Sequence, residues 1–176
     1  MEGYVEDEQL LRGMPYPLKI KGVSGLGLEG MCQLIDRNLK TNGRGFVILH
    51  AGANDIRKLS EKDWLAELEC ILSYIGVRYS GYKPVWSDML PRLHWRYAPV
   101  IEDDQEGRLA RKVMEDCRKR LQRRARHKVI SHNGMILRHP SLQQDLALLD
   151  PVDGVHLTQQ GQADFFGDFL NFIHNI

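Results

Sequence analysis

Two side chains near the carboxyl end of the sequence have the types and the spacing of an acid–base pair. Asp153 and His156 lie three residues apart, just before a segment that begins at Thr158 and has apolar residues at helical spacing. A carboxylate in this position can fix the imidazole tautomer, which leaves the other ring nitrogen free as a general base. Taken alone, the pair is more typical of a turn aspartate beside a surface histidine.

An amide and a glycine are the next candidates. The apolar run 47–49 leads into Gly52-Ala53-Asn54-Asp55, which predicts a buried strand followed by a tight turn. Ligands bind at the carboxyl ends of strands in α/β sheets, so Asn54 could donate an N–H to a developing oxyanion. Gly25 follows an earlier predicted strand and would let a backbone N–H approach a ligand closely. The alternatives stay open: Asn54 and Asp55 as turn-forming residues, and Gly25 in a plain turn.

A serine nucleophile is not evident. Ser24 lies in the glycine-rich turn that contains Gly25, and Ser87 lies at the end of a predicted strand. Both are better explained as a turn residue and a strand-end residue, because a nucleophile must lie within hydrogen-bond reach of its base. The nucleophile therefore stays unassigned.

Strands and helices alternate along the chain. This order predicts an α/β fold in three layers, α/β/α, with a parallel sheet between the helices. Strands are predicted at Leu18–Lys21, Phe46–His50, Lys83–Trp86 and Lys128–Ser131. Helices are predicted at Leu28–Leu39, from the Ser60 cap to Gly76 or Gly81, at Arg108–Lys128 and at Thr158–Ile173. We assign residues 1–17 to a lead-in segment and residues 18–176 to one domain.

Composition narrows the class of protein. With 176 residues, 24 of them basic and 23 acidic, the chain can form one domain and has no overall attraction to nucleic acid or membrane. No apolar run approaches the roughly 20 residues of a membrane span, and no signal peptide is evident. Cys32, Cys70 and Cys117 lack metal-binding spacing and lie in apolar helical patterns, so we predict buried free thiols, no metal and no cofactor. An intracellular location, cytoplasmic or nuclear, is expected.

Three stretches, in this chain order, resemble sequence blocks of the SGNH hydrolases, also called GDSL-like esterases. They are Gly25, Gly52-Ala53-Asn54-Asp55 and Asp153-Gly154-Val155-His156. The resemblance implies a flavodoxin-like fold and hydrolysis of small acyl esters by a serine nucleophile. It also implies the role of each matched residue. His156 would be the base, Asp153 its orienting carboxylate, and Gly25 and Asn54 the oxyanion donors.

The family's remaining block, Gly-Asp-Ser, does not occur in this sequence. Before Leu18 there is also no apolar strand to carry it. The resemblance therefore implies that the first strand and the nucleophile are missing, as in a truncated or degenerate copy. An uncovered sheet edge would favour self-association. Residues 85–92 and Arg138-His139-Pro140 resemble, more narrowly, the SGNH-type domains of mobile elements.

The predicted helix Arg108–Lys128 is strongly basic, and this suggests a second hypothesis for function. It has ten Lys or Arg residues against Glu115 and Asp116, with an apolar stripe at Leu109, Val113, Cys117 and Leu121. Its most closely spaced cations include Arg118, Lys119, Arg120, Arg123 and Arg124. Such a basic helix face is either simply solvated or binds phosphates. The second possibility predicts an alternative function, in which the chain is a non-catalytic module that contacts nucleic acid through this helix. No aromatic residue is interleaved, so base stacking is not supported.

Overall fold

The described strands form one parallel sheet. The computed structural model describes residues 19–95 and 104–176, so the predicted lead-in segment, residues 1–17, lies outside the described residues. The strands are β1 (Gly45–Leu49), β2 (Tyr82–Ser87) and β3 (Met135–Leu137), in the spatial order β1-β2-β3. Trp86 of β2 lies opposite Leu49 on one side and Ile136 on the other. The predicted parallel α/β sheet is confirmed.

Helices flank this sheet, and two of them begin at the predicted caps. They are α1 (Met31–Asn38), α2 (Glu61–Arg78), α3 (Asp104–Ser131), α4 (Pro140–Gln144) and α5 (Gln159–His174). The Asp63 N–H donates to Ser60 Oγ at 3.1 Å, and the Gly161 N–H donates to Thr158 Oγ1 at 3.1 Å. Each hydroxyl thereby satisfies an N–H that the first helical turn leaves unpaired. Among the described residues, none of the helices is long and apolar enough to span a membrane.

Two of the four predicted strands are wrong. Lys128–Ser131 continues α3, because Val129 lies one turn beyond Ala125 in the buried stripe of that helix. The helix ends where Asn133 takes a left-handed conformation, φ 56°, and β3 begins at Met135. Residues 19–21 of the other predicted strand are irregular. Alternating polarity does not form a strand without a neighbour, and in the described part of the sheet β1 pairs only with β2.

The buried face of α3 also differs from the predicted stripe. Leu109 and Val113 are exposed by 60% and 48%, whereas Met114, Ala125 and Val129 are buried. The buried row includes the guanidinium of Arg118, so it is not continuously apolar. Leu121 of the predicted stripe is buried and Cys117 is half-buried, so the hydrophobic period is right in the second half of the stripe and wrong in the first. Of the other two thiols predicted to be buried, Cys32 is half-buried and Cys70 is exposed.

Two tryptophans join α2 to the centre of the sheet. The rings of Trp64 and Trp86 meet edge to face, with 5.9 Å between their centroids, and both are fully buried. Trp64 Nε1–H donates to the Gly52 carbonyl at 2.9 Å. This bond fixes the turn that follows β1, where the candidate site begins.

Candidate functional site

The turn after β1 adopts a conformation that only glycine adopts easily. Gly52 has φ 90°, and a Cβ there would lie 2.4 Å from the Trp64 ring. The chain then forms a 3-10 turn, Ala53–Asp55, which presents Asn54 and Asp55 toward the earlier glycine-rich turn. The close contact between Gly52 and Trp64 therefore sets the direction of both polar side chains.

Asn54 and Asp55 both bind the glycine-rich turn that contains Gly25. Asn54 Nδ2 donates to the Leu26 carbonyl at 3.2 Å, and the Leu28 N–H donates to Asp55 Oδ2 at 2.9 Å. Asp55 is buried, and a Cβ on Gly27 would collide with its carboxylate. The structure thus brings Asn54 next to the residue that follows Gly25, although the two lie far apart in sequence. Gly25 has φ 72°, and nothing lies within 4 Å of the position a Cβ would take there.

Asp153 and His156 form the expected pair. The imidazole Nδ1 bonds to Asp153 Oδ2, and Oδ1 of the same carboxylate accepts the N–H groups of Val155 at 2.8 Å and His156 at 2.9 Å. These bonds, that of the imidazole first, lower the pKa of Asp153 to about 2, so it is ionised at neutral pH. The imidazole is 80% exposed. With Nδ1 held by the carboxylate, its Nε2 is left as the basic nitrogen.

Arg92 connects these two parts of the site, a role that sequence reasoning missed. Arg92 Nη2 donates to Asn54 Oδ1 at 3.0 Å, and its guanidinium lies 5.5 Å from the centroid of the Trp95 ring. The next residue, Leu93, donates its N–H to the Gly154 carbonyl at 2.7 Å. The contacts thus run from the Gly25 turn through Asn54 and Arg92 to the loop that carries His156. In the sequence, this position falls in residues 85–92, which resemble the SGNH-type domains of mobile elements but gave Arg92 no role.

Neither serine singled out in the sequence belongs to this constellation. Ser24 is exposed in the turn before Gly25. Ser87 is fully buried, with its Oγ 2.9 Å from His50 Nδ1 and 2.7 Å from His139 Nε2. His139 Nδ1 lies 3.0 Å from Asp168 Oδ2. No pattern in the sequence signals this second cluster, because its members share no motif or regular spacing.

The basic helix is less accessible than its sequence implies. Arg118 is fully buried and donates to the Met89 carbonyl and to Glu115, so its expected place on a phosphate-binding surface is wrong. Arg120 and Arg124 both pair with Glu61 of α2. Lys119 and Arg123 are exposed, and Lys119 lies 3.8 Å from Glu115. Within the predicted cluster, Arg118 is therefore buried, and Arg120 and Arg124 are engaged in ion pairs at the surface.

No family model matches the sequence, and no curated protein matches it. Solved structures do match. A platelet activating factor from Streptococcus pneumonia superimposes with a TM-score of 0.66 and 16% identity, over 97% of this chain and 78% of that chain. A GDSL-like lipase from Parabacteroides merdae gives a TM-score of 0.62 and 14% identity, over 87% and 71% of the two chains. A family 3 carbohydrate esterase from Clostridium thermocellum gives a TM-score of 0.60 and 13% identity, over 90% of this chain and 77% of that chain. The chain therefore has an SGNH-like, or GDSL-like, hydrolase fold.

The polar groups of the site supply the components of proton transfer and oxyanion binding. Within the described ranges, 19–95 and 104–176, no group of three or more His, Cys, Asp or Glu side chains could hold a metal ion. An ionised carboxylate beside an exposed imidazole is the arrangement that a general base requires, and a carboxamide beside a glycine turn has the N–H groups that oxyanion binding requires. These are the components of acyl transfer without an identified nucleophile.

Proposed function

We propose that this chain is a carboxylic ester hydrolase-type domain that keeps the base and the oxyanion side of the site but has no family nucleophile. The observation that carries the proposal is the pairing of Asp153 with His156. A carboxylate that is held by two backbone N–H groups and bonds to Nδ1 fixes the tautomer in which Nε2 is basic. The SGNH-like fold supports the assignment to ester chemistry.

Without a serine beside it, His156 can only act on water. Its Nε2 would take a proton from a water molecule as that water attacks a carbonyl, and Asn54 or a backbone N–H of the Gly25 turn would stabilise the oxyanion. In serine hydrolases that lose the nucleophile, the remaining groups give roughly 10³–10⁴-fold acceleration over water. We propose this value as an upper bound for the present chain, because Asn54 is already engaged by Leu26 and Arg92.

The test is hydrolysis of p-nitrophenyl acetate by purified wild-type chain. We expect a low rate without a burst, which falls to the level of buffer plus free imidazole in His156→Ala. His174→Ala is the matched control, because His174 is also exposed but bonds only to a helix carbonyl. Equal losses in the two histidine variants would show that any surface imidazole gives the rate and would refute the proposed base.

A second function, contact with nucleic acid, is favoured by one observation on α3. Lys112, Lys119 and Arg123 are exposed and spaced seven and four residues apart. At 100° per residue they share one helix face, over about 16 Å. This row is a smaller version of the predicted basic surface and excludes the buried Arg118. Cations in such a row can each neutralise a backbone phosphate.

Binding to a short duplex at several salt concentrations tests this second function. Changing the row to glutamine should weaken binding and reduce the slope of log K against log salt by roughly 0.9 for each phosphate that is no longer neutralised. A matched control removes three exposed cations elsewhere, Arg37, Lys40 and Arg44. If the control weakens binding as much as the row does, the attraction is a general charge effect and the α3 surface is refuted.

A further inference from the structure

We propose that Ser87, His139 and Asp168 form a second Ser–His–Asp site, in which Ser87 is a serine nucleophile covered by α5. This site uses neither Asp153 nor His156, so it is independent of the proposed base. Its substrates would be carboxylic esters with small acyl groups, because the space beside Ser87 opens only when aromatic rings move.

The three residues lie at the edge of the sheet where ligands of α/β proteins bind. Ser87 is the last residue of β2, His139 follows the end of β3 by two residues, and Asp168 comes from α5. Carboxyl ends of parallel strands meet at one edge, which is where active sites of this fold class lie. The end of one strand, the segment that follows another strand and one helix thus contribute one member each.

The distances are those of a functional triad. Ser87 Oγ lies 2.7 Å from His139 Nε2, and His139 Nδ1 lies 3.0 Å from Asp168 Oδ2. Both are within the range in which a base can take the proton of a nucleophile while a carboxylate orients the base. His50 Nδ1, at 2.9 Å from the same Oγ, can donate to the serine oxygen when the serine hydroxyl donates to His139.

His139 is in the protonation state that a base requires. Burial lowers its pKa to about 4, so the ring is neutral at pH 7. A neutral imidazole has one N–H and one lone pair. With Asp168 accepting the N–H at Nδ1, the lone pair lies on Nε2 and faces the serine.

In the closed structure a substrate cannot reach the Ser87 hydroxyl. The Ser87 and His139 side chains are both inaccessible to solvent. Two rings of α5 cover the histidine: the Phe165 centroid lies 4.5 Å from the imidazole centroid and the Phe169 centroid 5.8 Å from it, both stacked. These two rings are themselves only half-buried. Local opening of a helix that is partly exposed costs less than global unfolding, so α5 can act as the cover.

The chemical step balances without a cofactor. On an acyl ester, Ser87 Oγ forms a bond to the carbonyl carbon while its proton moves to His139 Nε2. The C–O bond of the ester then breaks, and the departing alcohol takes that proton, which leaves an acyl-serine that water hydrolyses. With a fluorophosphonate, Oγ bonds to phosphorus, fluoride leaves, and the proton passes through His139 to water.

The decisive experiment removes the two aromatic rings of α5 that cover His139. The variant Phe165→Ala with Phe169→Ala is incubated with a fluorophosphonate probe and the labelled residue is located by peptide mass spectrometry. We expect modification at Ser87, at least tenfold faster than in wild type and lost on adding Ser87→Ala or His139→Gln. Adding His156→Ala should leave the labelling rate unchanged, which separates this site from the proposed base. A folded variant that stays unlabelled at Ser87 overturns the proposal.

A second measurement covers the case in which the double variant unfolds, as seen by circular dichroism. Wild type is then incubated with the probe for a day in urea just below its cooperative transition, where we expect α5 to open locally. Slow labelling of Ser87 supports the proposal, and none refutes it. The unfolded chain in concentrated urea is the control, because an isolated serine does not react with the probe.

Asp168 is a positioning residue in this scheme, and its role has its own readout. Asp168→Asn should slow labelling of the opened variant. It should also change the nitrogen chemical shifts of His139, because an amide can donate to Nδ1 and move the proton to Nε2. Slower labelling with an unchanged His139 tautomer would mean that Asp168 only packs the site.

Discussion

Arg126 of α3 holds the carboxylate of Asp88, the residue that directly follows β2. Arg126 Nε donates to Asp88 Oδ1 at 2.8 Å, and Nη2 donates to the other carboxylate oxygen. The Asp88 side chain is almost completely inaccessible to solvent. Both carboxylate oxygens are therefore satisfied by one planar cation, which is the geometry in which a buried charge is tolerated.

Replacing Arg126 should destabilise the fold strongly. Arg126→Met leaves Asp88 buried without its cation, and breaking a buried pair in this way costs roughly 3–5 kcal/mol. Arg123→Met on the exposed face of the same helix should change the free energy of unfolding by less than about 0.5 kcal/mol. Urea unfolding of the two variants measures the difference. Equal effects would mean that Asp88 finds another partner.

Gly52 should not tolerate alanine. The position has φ 90°, and a Cβ would lie 2.4 Å from the buried Trp64 ring. Backbone strain and overpacking each cost roughly 1–3 kcal/mol, so Gly52→Ala should lose at least about 2 kcal/mol of unfolding free energy. Gly76→Ala is the control, because it lies in α2 with nothing within 4 Å of the new Cβ and should be neutral or stabilising. Thermal unfolding distinguishes these outcomes.

Stability should fall with acid through His139. Burial lowers its pKa from 6.5 to about 4, so between these values the unfolded chain binds a proton that the folded chain does not. Stability from the neutral histidine is present above pH 6.5 and is lost as the pH falls toward 4, by roughly 3 kcal/mol. Urea unfolding at pH 7 and pH 4.5 should show a smaller pH dependence in His139→Gln than in wild type. Parallel curves would contradict this prediction.

Native wild-type chain should show no serine-type ester turnover. Ser87 is inaccessible, and no serine is bonded to His156 among the described residues. We expect no fluorophosphonate labelling within an hour without denaturant, under conditions that fully label an active serine hydrolase. Stoichiometric labelling that His156→Ala abolishes would show that a serine does reach that base, and would reverse the proposed function.

Local signals in the sequence sufficed for most of the sheet and for one pair of site residues. The apolar run before Gly52 and the caps at Ser60 and Thr158 are short-range features, so they predict β1, α2 and α5 well. Asp153 and His156 are three residues apart and pair through a single turn. What these signals cannot show is contact between distant segments. Arg92 with Asn54 and Ser87 with His139 depend on how strands and loops assemble.

The hydrophobic period failed to predict part of the buried face of α3, because that face carries a charged side chain. Leu121 of the predicted apolar stripe of α3 is buried, but Leu109 and Val113 are exposed, because the buried row of this helix also includes Arg118. A guanidinium in the buried row lowers the apparent hydrophobicity of the correct face. For the same reason the predicted basic surface included a residue that no phosphate can reach.

Arg118 also determines how α3 is set against the sheet. Its guanidinium bonds the Met89 carbonyl just beyond β2 and Glu115 on its own helix, with no exposure to solvent. If α3 slid by one turn, Met114 or Gln122 would occupy this place and the guanidinium would lie against apolar side chains. A buried row of methyl groups alone would allow several axial positions of α3 with nearly equal energy. One buried cation that must reach a fixed acceptor allows only one of these positions. The charge thus specifies the axial register of the longest helix in the described part of the chain.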